Sequence, residues 1–202
     1  MATLQQTFGS GTKFEQQLTS VITKYTRHIW RNIRIETLLT QQGTTEIDIL
    51  FCYKNLLFIV EAKNAGSIFG DYNSRNWSFV GSKAPMREVR EYSNLNTLTQ
   101  NNIHARSFKD CFYAYFGAWP PVVPIIVVPN DCTVSPDIAD CIFTVGQLDT
   151  FLAEASSWDV ESTLHRRVSS MIPGDGATVP RPDFVLNNSI GARIKMEGGG
   201  SL

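Results

Sequence analysis

Two apolar runs, Glu46-Ile47-Asp48-Ile49-Leu50-Phe51 and Leu56-Leu57-Phe58-Ile59-Val60-Glu61-Ala62-Lys63, flank the polar pair Lys54-Asn55. Runs of β-branched and aromatic residues on either side of a two-residue polar break leave an antiparallel hairpin as the natural arrangement. If the loop is symmetric about Lys54 and Asn55, cross-strand partners have residue numbers of constant sum, and Asp48 falls opposite Glu61. Side chains alternate along a strand, so Lys63 shares the face of Glu61. Directly opposed residues have Cβ atoms roughly 5 Å apart. The hairpin therefore brings two carboxylates and one ammonium to the mouth of an otherwise apolar ladder. Like charges at that separation are costly without a counter-ion, and a divalent cation removes the cost.

Two carboxylates suit a hard, oxygen-seeking ion such as Mg2+ or Mn2+, which retains several waters and accepts phosphate oxygens. Asp48 and Glu61 are the candidate ligands, and the carbonyl of Ala62 between the two side chains is a third if that strand end is unpaired. Water on such an ion is acidified and can attack phosphorus. Lys63 is placed to orient that water or to neutralise charge developing on a phosphate.

The rest of the chain reads as an α/β domain. Phe14, Leu18, Val21, Ile22, Tyr25 and Ile29 recur at helical spacing and predict a first helix over residues 12–28, and residues 32–39 alternate as a strand before a turn at Gln41-Gln42-Gly43. Residues 64–83, rich in Gly, Asn and Ser, predict a long loop with at most a small excursion of strand. Pro85 suits the first position of a helix running to residue 100. Residues 111–116 are ambiguous between helix and strand, residues 122–128 fit a buried strand, and residues 142–145 a short one. Residues 147–155 and 160–171 read as closing helices. The expected organisation is one domain over residues 1–172 and a Gly/Pro-rich tail over 173–202, its last glycines read as a linker or scar.

Net charge is -1, so an attraction for a polyanion must come from local clusters. Lys24, Arg27, Arg31 and Arg34, with Lys83, Arg87 and Arg90, are the candidates for a phosphate-binding groove. The four cysteines lack CxxC spacing, which fits free thiols in a reducing, cytoplasmic compartment, and no aliphatic run is long enough to cross a bilayer. His28, His104 and His165 have no second His or Cys at ligand spacing, which predicts surface or helix-end roles.

The string Gly43-Thr44-Thr45-Glu46-Ile47-Asp48, then Ile59-Val60-Glu61-Ala62-Lys63-Asn64, then Gly66, Ile68, Gly70-Asp71 and Trp77 resembles the nuclease-related domain called NERD, of the PD-(D/E)XK nuclease superfamily. The resemblance implies a restriction-endonuclease-like core, a central mixed sheet flanked by helices in the order α-β-β-β-α-β, with the active site at one edge of the sheet. It implies metal-dependent hydrolysis of DNA phosphodiester bonds, with Asp48 and Glu61 on metal, Lys63 catalytic, and Glu15 completing the acidic set. RNA is the alternative substrate, and a module that binds nucleic acid or protein without cutting is the alternative function. A homodimer or protein partner, contacted through the apolar points Phe184-Val185-Leu186, would supply specificity. The family's second helix opens with Asn-Pro and a following Gln, whereas here residues 84–88 read Ala84-Pro85-Met86-Arg87-Glu88, with Glu88 in the place of Gln.

Two of these residues have structural rivals. Thr12-Lys13-Phe14-Glu15 has the form of a capping box, in which Glu15 bonds the backbone of Thr12 rather than serving a site. Trp77 fits a core position as readily as a stacking surface for a base.

Overall fold

The computed structural model describes residues 5–81, 92–154 and 163–182. Helix α1 (Gln5–Ile22) leads into strands β1 (Ile29–Glu36), β2 (Thr44–Tyr53) and β3 (Leu56–Ala62). Three further strands follow, β4 (Ala65–Phe69), β5 (Asn76–Gly81) and β6 (Tyr92–Leu95), before helix α2 (Thr97–Phe116) and strand β7 (Val122–Val128). The chain closes with β8 (Thr133–Val134), a 3-10 turn (Pro136–Cys141), β9 (Ile142–Thr144), α3 (Val145–Glu154), α4 (Leu164–Met171) and β10 (Thr178–Val179). The main sheet has the order β10-β1-β2-β3-β7-β9, antiparallel across β1-β2-β3 and parallel elsewhere. The expected α-β-β-β-α-β core is present, with a second sheet, β6-β5-β4-β8, inserted beside it.

The main sheet is buried on both faces. Ile33, Ile35, Leu50 and Ile59 pack against Phe108, Cys111 and Phe112 of α2 and against α4. Ile49, Phe51, Phe58 and Val60 pack on the other face against Phe14, Leu18 and Ile22 of α1 and Leu148 and Leu152 of α3. That two-sided burial is why β2 and β3 carry continuous apolar runs. The tight turn at Lys54, whose φ is +57°, sets the hairpin register. Tyr53 pairs with Leu56 and Ile49 with Val60, as a loop symmetric about residues 54 and 55 requires.

Several boundaries differ from expectation. α1 starts at Gln5, so Thr12 lies inside the helix rather than at the N-cap position that a capping box with Glu15 requires. The helix expected over residues 85–100 is not continuous. Residues 92–95 pair with β5, Tyr92 opposite Phe79 and Leu95 opposite Asn76, and the helix starts only after Asn96. The earlier part of that expected helix, with Lys83, Arg87, Glu88 and Arg90, lies outside the described residues. The ambiguous residues 111–116 are the last turns of α2, closed by Gly117 at φ +65°. The expected tail does not start cleanly at residue 173. Thr178 and Val179 pair in parallel with Arg34 and Ile35, and Arg34 N donates to Ala177 O at 2.9 Å, so this segment forms an edge of the main sheet. Phe184-Val185-Leu186 lie outside the described residues.

The inserted sheet is a scaffold. Trp77 is 1% exposed, its Nε1 donates to the carbonyl of Asp71 at 2.9 Å, and its indole lies where a Cβ on Gly70 would stand, so the Gly70-Asp71 and Trp77 pattern serves packing rather than base stacking. None of the four cysteines is in a disulfide, and no described helix is long and apolar enough to cross a membrane.

Asn96 joins the insertion to α2. Its Oδ1 accepts from Leu98 N at 2.9 Å and Thr99 N at 3.4 Å, and its Nδ2 donates to the carbonyls of Tyr72 and Ser74 at 3.2 and 2.9 Å. Losing the cap and stranding two carbonyls together predict that Asn96→Ala lowers unfolding free energy by about 2 kcal/mol, measured by urea denaturation. A loss below about 0.5 kcal/mol would contradict this double role.

Candidate active site

The ladder between β2 and β3 runs from Tyr53 and Leu56 to Ile49 and Val60 and stops one position short of Asp48 and Glu61. From there β2 continues beside β1, and β3 continues beside β7, where Lys63 N donates to Val127 O at 3.0 Å. The two strands separate, and Ala62 N loses the backbone partner it would otherwise have across the hairpin. The carboxylate of Asp48 replaces it, with Oδ2 accepting from Ala62 N at 2.8 Å. A residue's N–H and C=O point to the same side of an extended strand. The carbonyl of Ala62 therefore lies on the edge that faces Asp48.

Both β1 and β2 are kinked at this level. Ile47 packs toward α2 and Ile49 toward α1, although residues two apart on a regular strand share a face. Trp30 and Ile33, three residues apart, likewise share the α2 face. Between them Asn32, at the register position of Asp48, has a φ of +53°, a left-handed conformation that asparagine tolerates better than most residues. The kink places Asp48 at the point where the strand changes face.

Glu61 is 2% exposed and points toward α2. Its Oε1 is 2.5 Å from Lys63 Nζ, and its Oε2 is 3.1 Å from His104 Nε2. That second pair is close but poorly directed, and neither Oε2 nor Nε2 has an aligned hydrogen-bond partner. Lys63 Nζ also reaches Gln100 Oε1 at 3.4 Å, and His104 Nδ1 lies 2.6 Å from Thr45 Oγ1. A cleft of about 510 Å3 opens alongside, walled by Asp48, Gln100, His104, Thr45, Arg34 and Glu46.

The two carboxyls are electrostatically unequal. Burial raises the pKa of Glu61, but the close approach of the His104 ring nitrogen and the charge of Lys63 more than offset it, and Glu61 lies below its ordinary value. Asp48 is pushed up to about 8, first by burial and then by the charge of Glu61, with Ala62 N–H and Lys63 opposing only part of this. Glu15, half-buried on α1 across the sheet, is within electrostatic range of the centre, and its charge adds to the rise at Asp48. Its own pKa is raised by burial and by Glu46, with Arg31 acting the other way.

The sequence-predicted residues Asp48, Glu61, Lys63 and Ala62 are thus adjacent, with Glu15 in electrostatic range. They sit on the two central strands, Asp48 midway along β2 and Glu61 near the end of β3, rather than on an edge strand, because β10 and β1 cover one side and β7 and β9 the other. The basic groove finds less support. Lys24 pairs with Asp149, Arg31 with Asp175 and Arg34 with Glu46, and of these Arg34 lines the cleft.

His104, expected at a surface or helix end, is instead 5% exposed and faces Glu61. Gln100 was also missed. The helix that opens after Asn96 carries Gln100 in its first turns, while residues 84–88, where the family's Asn-Pro and Gln were expected, lie outside the described residues. The signal was a polar stripe at helical spacing, Thr97, Asn101, His104 and Ser107, all buried, with Gln100 one turn before His104.

The donor set fits a hard divalent ion. Asp48 lacks a counter-charge of its own, the buried Oε2 of Glu61 lacks an aligned donor, and the Ala62 carbonyl faces the same opening. Among the described residues no three His, Cys, Asp or Glu side chains converge as a ready-made metal cluster, so an ion here would keep several waters, as Mg2+ does.

Central strands that part around two carboxylates and a lysine, in a mixed sheet flanked by helices, define a nuclease-like α/β domain. The profile of the nuclease-related domain, NERD, matches residues 10–129, and the chain belongs to that family. No curated protein and no solved structure matches it.

A carboxyl raised from 3.8 to about 8 holds its proton in the folded state where the unfolded chain has lost it. Its contribution to stability is full below about pH 4 and drains away as pH rises toward 8. Without metal, Asp48→Asn removes that loss, so its melting temperature should gain on wild type steadily across this window. A difference independent of pH would show that Asp48 is not an uncompensated buried acid.

Proposed function

We propose that this domain hydrolyses DNA phosphodiester bonds with Mg2+ or Mn2+ bound by Asp48, Glu61 and the carbonyl of Ala62. The observation that supports it is the parting of β2 and β3, which sets Asp48 beside Ala62 while Lys63 lies 2.5 Å from Glu61. When bound, the ion supplies an acidified water and positive charge against a phosphate oxygen. Lys63 is the catalytic cation. Its ammonium is held by Glu61 and Gln100, and its side chain is 22% exposed, enough to meet a phosphate while its position stays fixed. It orients the attacking water and offsets charge on the phosphate as the P–O bond breaks. Glu15 is the auxiliary acid, adding negative charge that favours a cation at Asp48. The cleft beside Asp48 gives the strand carrying the scissile phosphate a route to the centre.

The second reading is a nuclease-fold module that binds nucleic acid or protein without cutting. It draws on Glu61, which already has Lys63 and His104 against its two oxygens.

Supercoiled and linear DNA incubated with Mg2+, Mn2+ or EDTA separate the two. The expected result is cleavage that requires metal, falls at least about a hundredfold in Lys63→Ala and is lost in Asp48→Asn, with both variants folded. Absence of cleavage by wild type with either ion, alongside retained DNA binding, would favour the module; cleavage of RNA alone would reassign the substrate. Full activity in Lys63→Ala would overturn the mechanism.

A further inference from the structure

His104 is the one imidazole at the centre, and neither the hairpin nor the family pattern quoted above assigns it a task. It sits on α2 one turn beyond Gln100, so the two side chains leave the same helix face toward β2 and β3. At 5% exposure it is removed from solvent, and both ring nitrogens meet polar groups of the central strands. Nδ1 is 2.6 Å from Oγ1 of Thr45, and Nε2 is 3.1 Å from Oε2 of Glu61. One neutral tautomer suits both neighbours, with Nδ1 accepting from the Thr45 hydroxyl and Nε2–H beside the carboxylate, close to Oε2 but not aligned with it. Thr45 is itself 7% exposed, on β2 three residues before Asp48.

The helix that carries the imidazole is tied to the sheet on either side of it. Asn101 Nδ2 donates to Ile125 O at 2.8 Å, and Ser107 Oγ donates to Thr37 Oγ1 at 2.8 Å. His104 therefore has little freedom to move away from Glu61. A carboxylate with one oxygen on Lys63 and the other against His104 is restrained about its terminal torsion, which is otherwise broad for glutamate.

We propose that His104 is a positioning residue for the metal centre, restraining the carboxylate of Glu61 in the orientation that receives a divalent cation and linking that orientation to Thr45 on β2. The inference rests on the metal-dependent reading above. The imidazole touches neither ion nor phosphate; it acts through Glu61, as outer groups commonly do for ligating side chains.

The test is Mn2+ binding to the full chain, followed by the electron paramagnetic resonance of free Mn2+. His104→Gln places an amide nitrogen near the position of Nε2, whereas His104→Asn is too short to reach Glu61. Wild type and His104→Gln should bind within about threefold of one another, and His104→Asn about tenfold more weakly. Thr45→Val, which keeps the volume and removes the hydroxyl, should weaken binding in the same direction and gives a second route if His104→Asn fails to fold. In DNA cleavage at saturating Mn2+, His104→Asn should lower kcat with KM for DNA unchanged. Wild-type binding matched by folded His104→Asn, or by Thr45→Val, would overturn the positioning role while leaving the metal site intact. Failure of wild type to bind Mn2+ would overturn the metal reading and this inference with it.

Discussion

The separation of β2 from β3 beyond Ile49 and Val60 is the constraint around which the rest of the centre is arranged. A central sheet ladder normally satisfies every backbone amide, and a buried N–H without a partner costs about 1 to 3 kcal/mol. Here the amide left over is Ala62 N, and a side-chain carboxylate takes it, Asp48 Oδ2 at 2.8 Å. The same substitution opens a gap in the middle of a sheet that is otherwise covered on both faces. Charged groups can gather there because the strands that carry them have stopped bonding to each other but still have neighbours, β1 for β2 and β7 for β3.

Helix α2 completes the gap, and its composition reflects two tasks. Phe108, Cys111 and Phe112 give its C-terminal half an ordinary apolar contact with the sheet. Its N-terminal half turns Thr97, Asn101 and His104 inward instead, with Gln100 reaching Lys63. A helix with a polar inner face gains little from burial, so its placement depends on directed bonds. Asn96 fastens its start to the loop between β4 and β5, Asn101 to the Ile125 carbonyl, and Ser107 to Thr37. The insertion thereby fixes where α2 starts and thus where Gln100 and His104 fall.

What could be read from the chain follows the same division. The register of β2 and β3 was legible because a two-residue turn fixes it and a one-residue slip would send every core side chain to the wrong face. Asp48, Glu61 and Lys63 come with that register. The start of α2 was illegible because Tyr92 and Leu95 have helical spacing but pair with β5, a tertiary choice that local pattern does not encode. His104 was hidden for a related reason: a polar helix face reads as solvent-facing until the strands that meet it are known. The kink at Asn32 leaves only a weak trace, a single asparagine in a strand, and its consequence for Asp48 depends on the pairing of β1 with β2. Thr12 and Glu15 fit a capping box in sequence, and only the start of α1 at Gln5 removes it.

The unequal treatment of the two carboxyls follows from the number of cations the fold supplies. Lys63 is the lysine within ion-pairing distance of Glu61, and His104 backs the same carboxylate. Asp48 receives a backbone dipole but shares the centre with Glu61 and Glu15, so its charge is opposed from two sides. Well-packed proteins usually remove such conflicts, and those that remain tend to lie where function requires them. The large apolar clusters on either face of the sheet hold the strands in place despite the conflict. A cation at Asp48 would add the charge that the protein's own side chains do not, and under the proposed function it would leave Lys63 to face a phosphate.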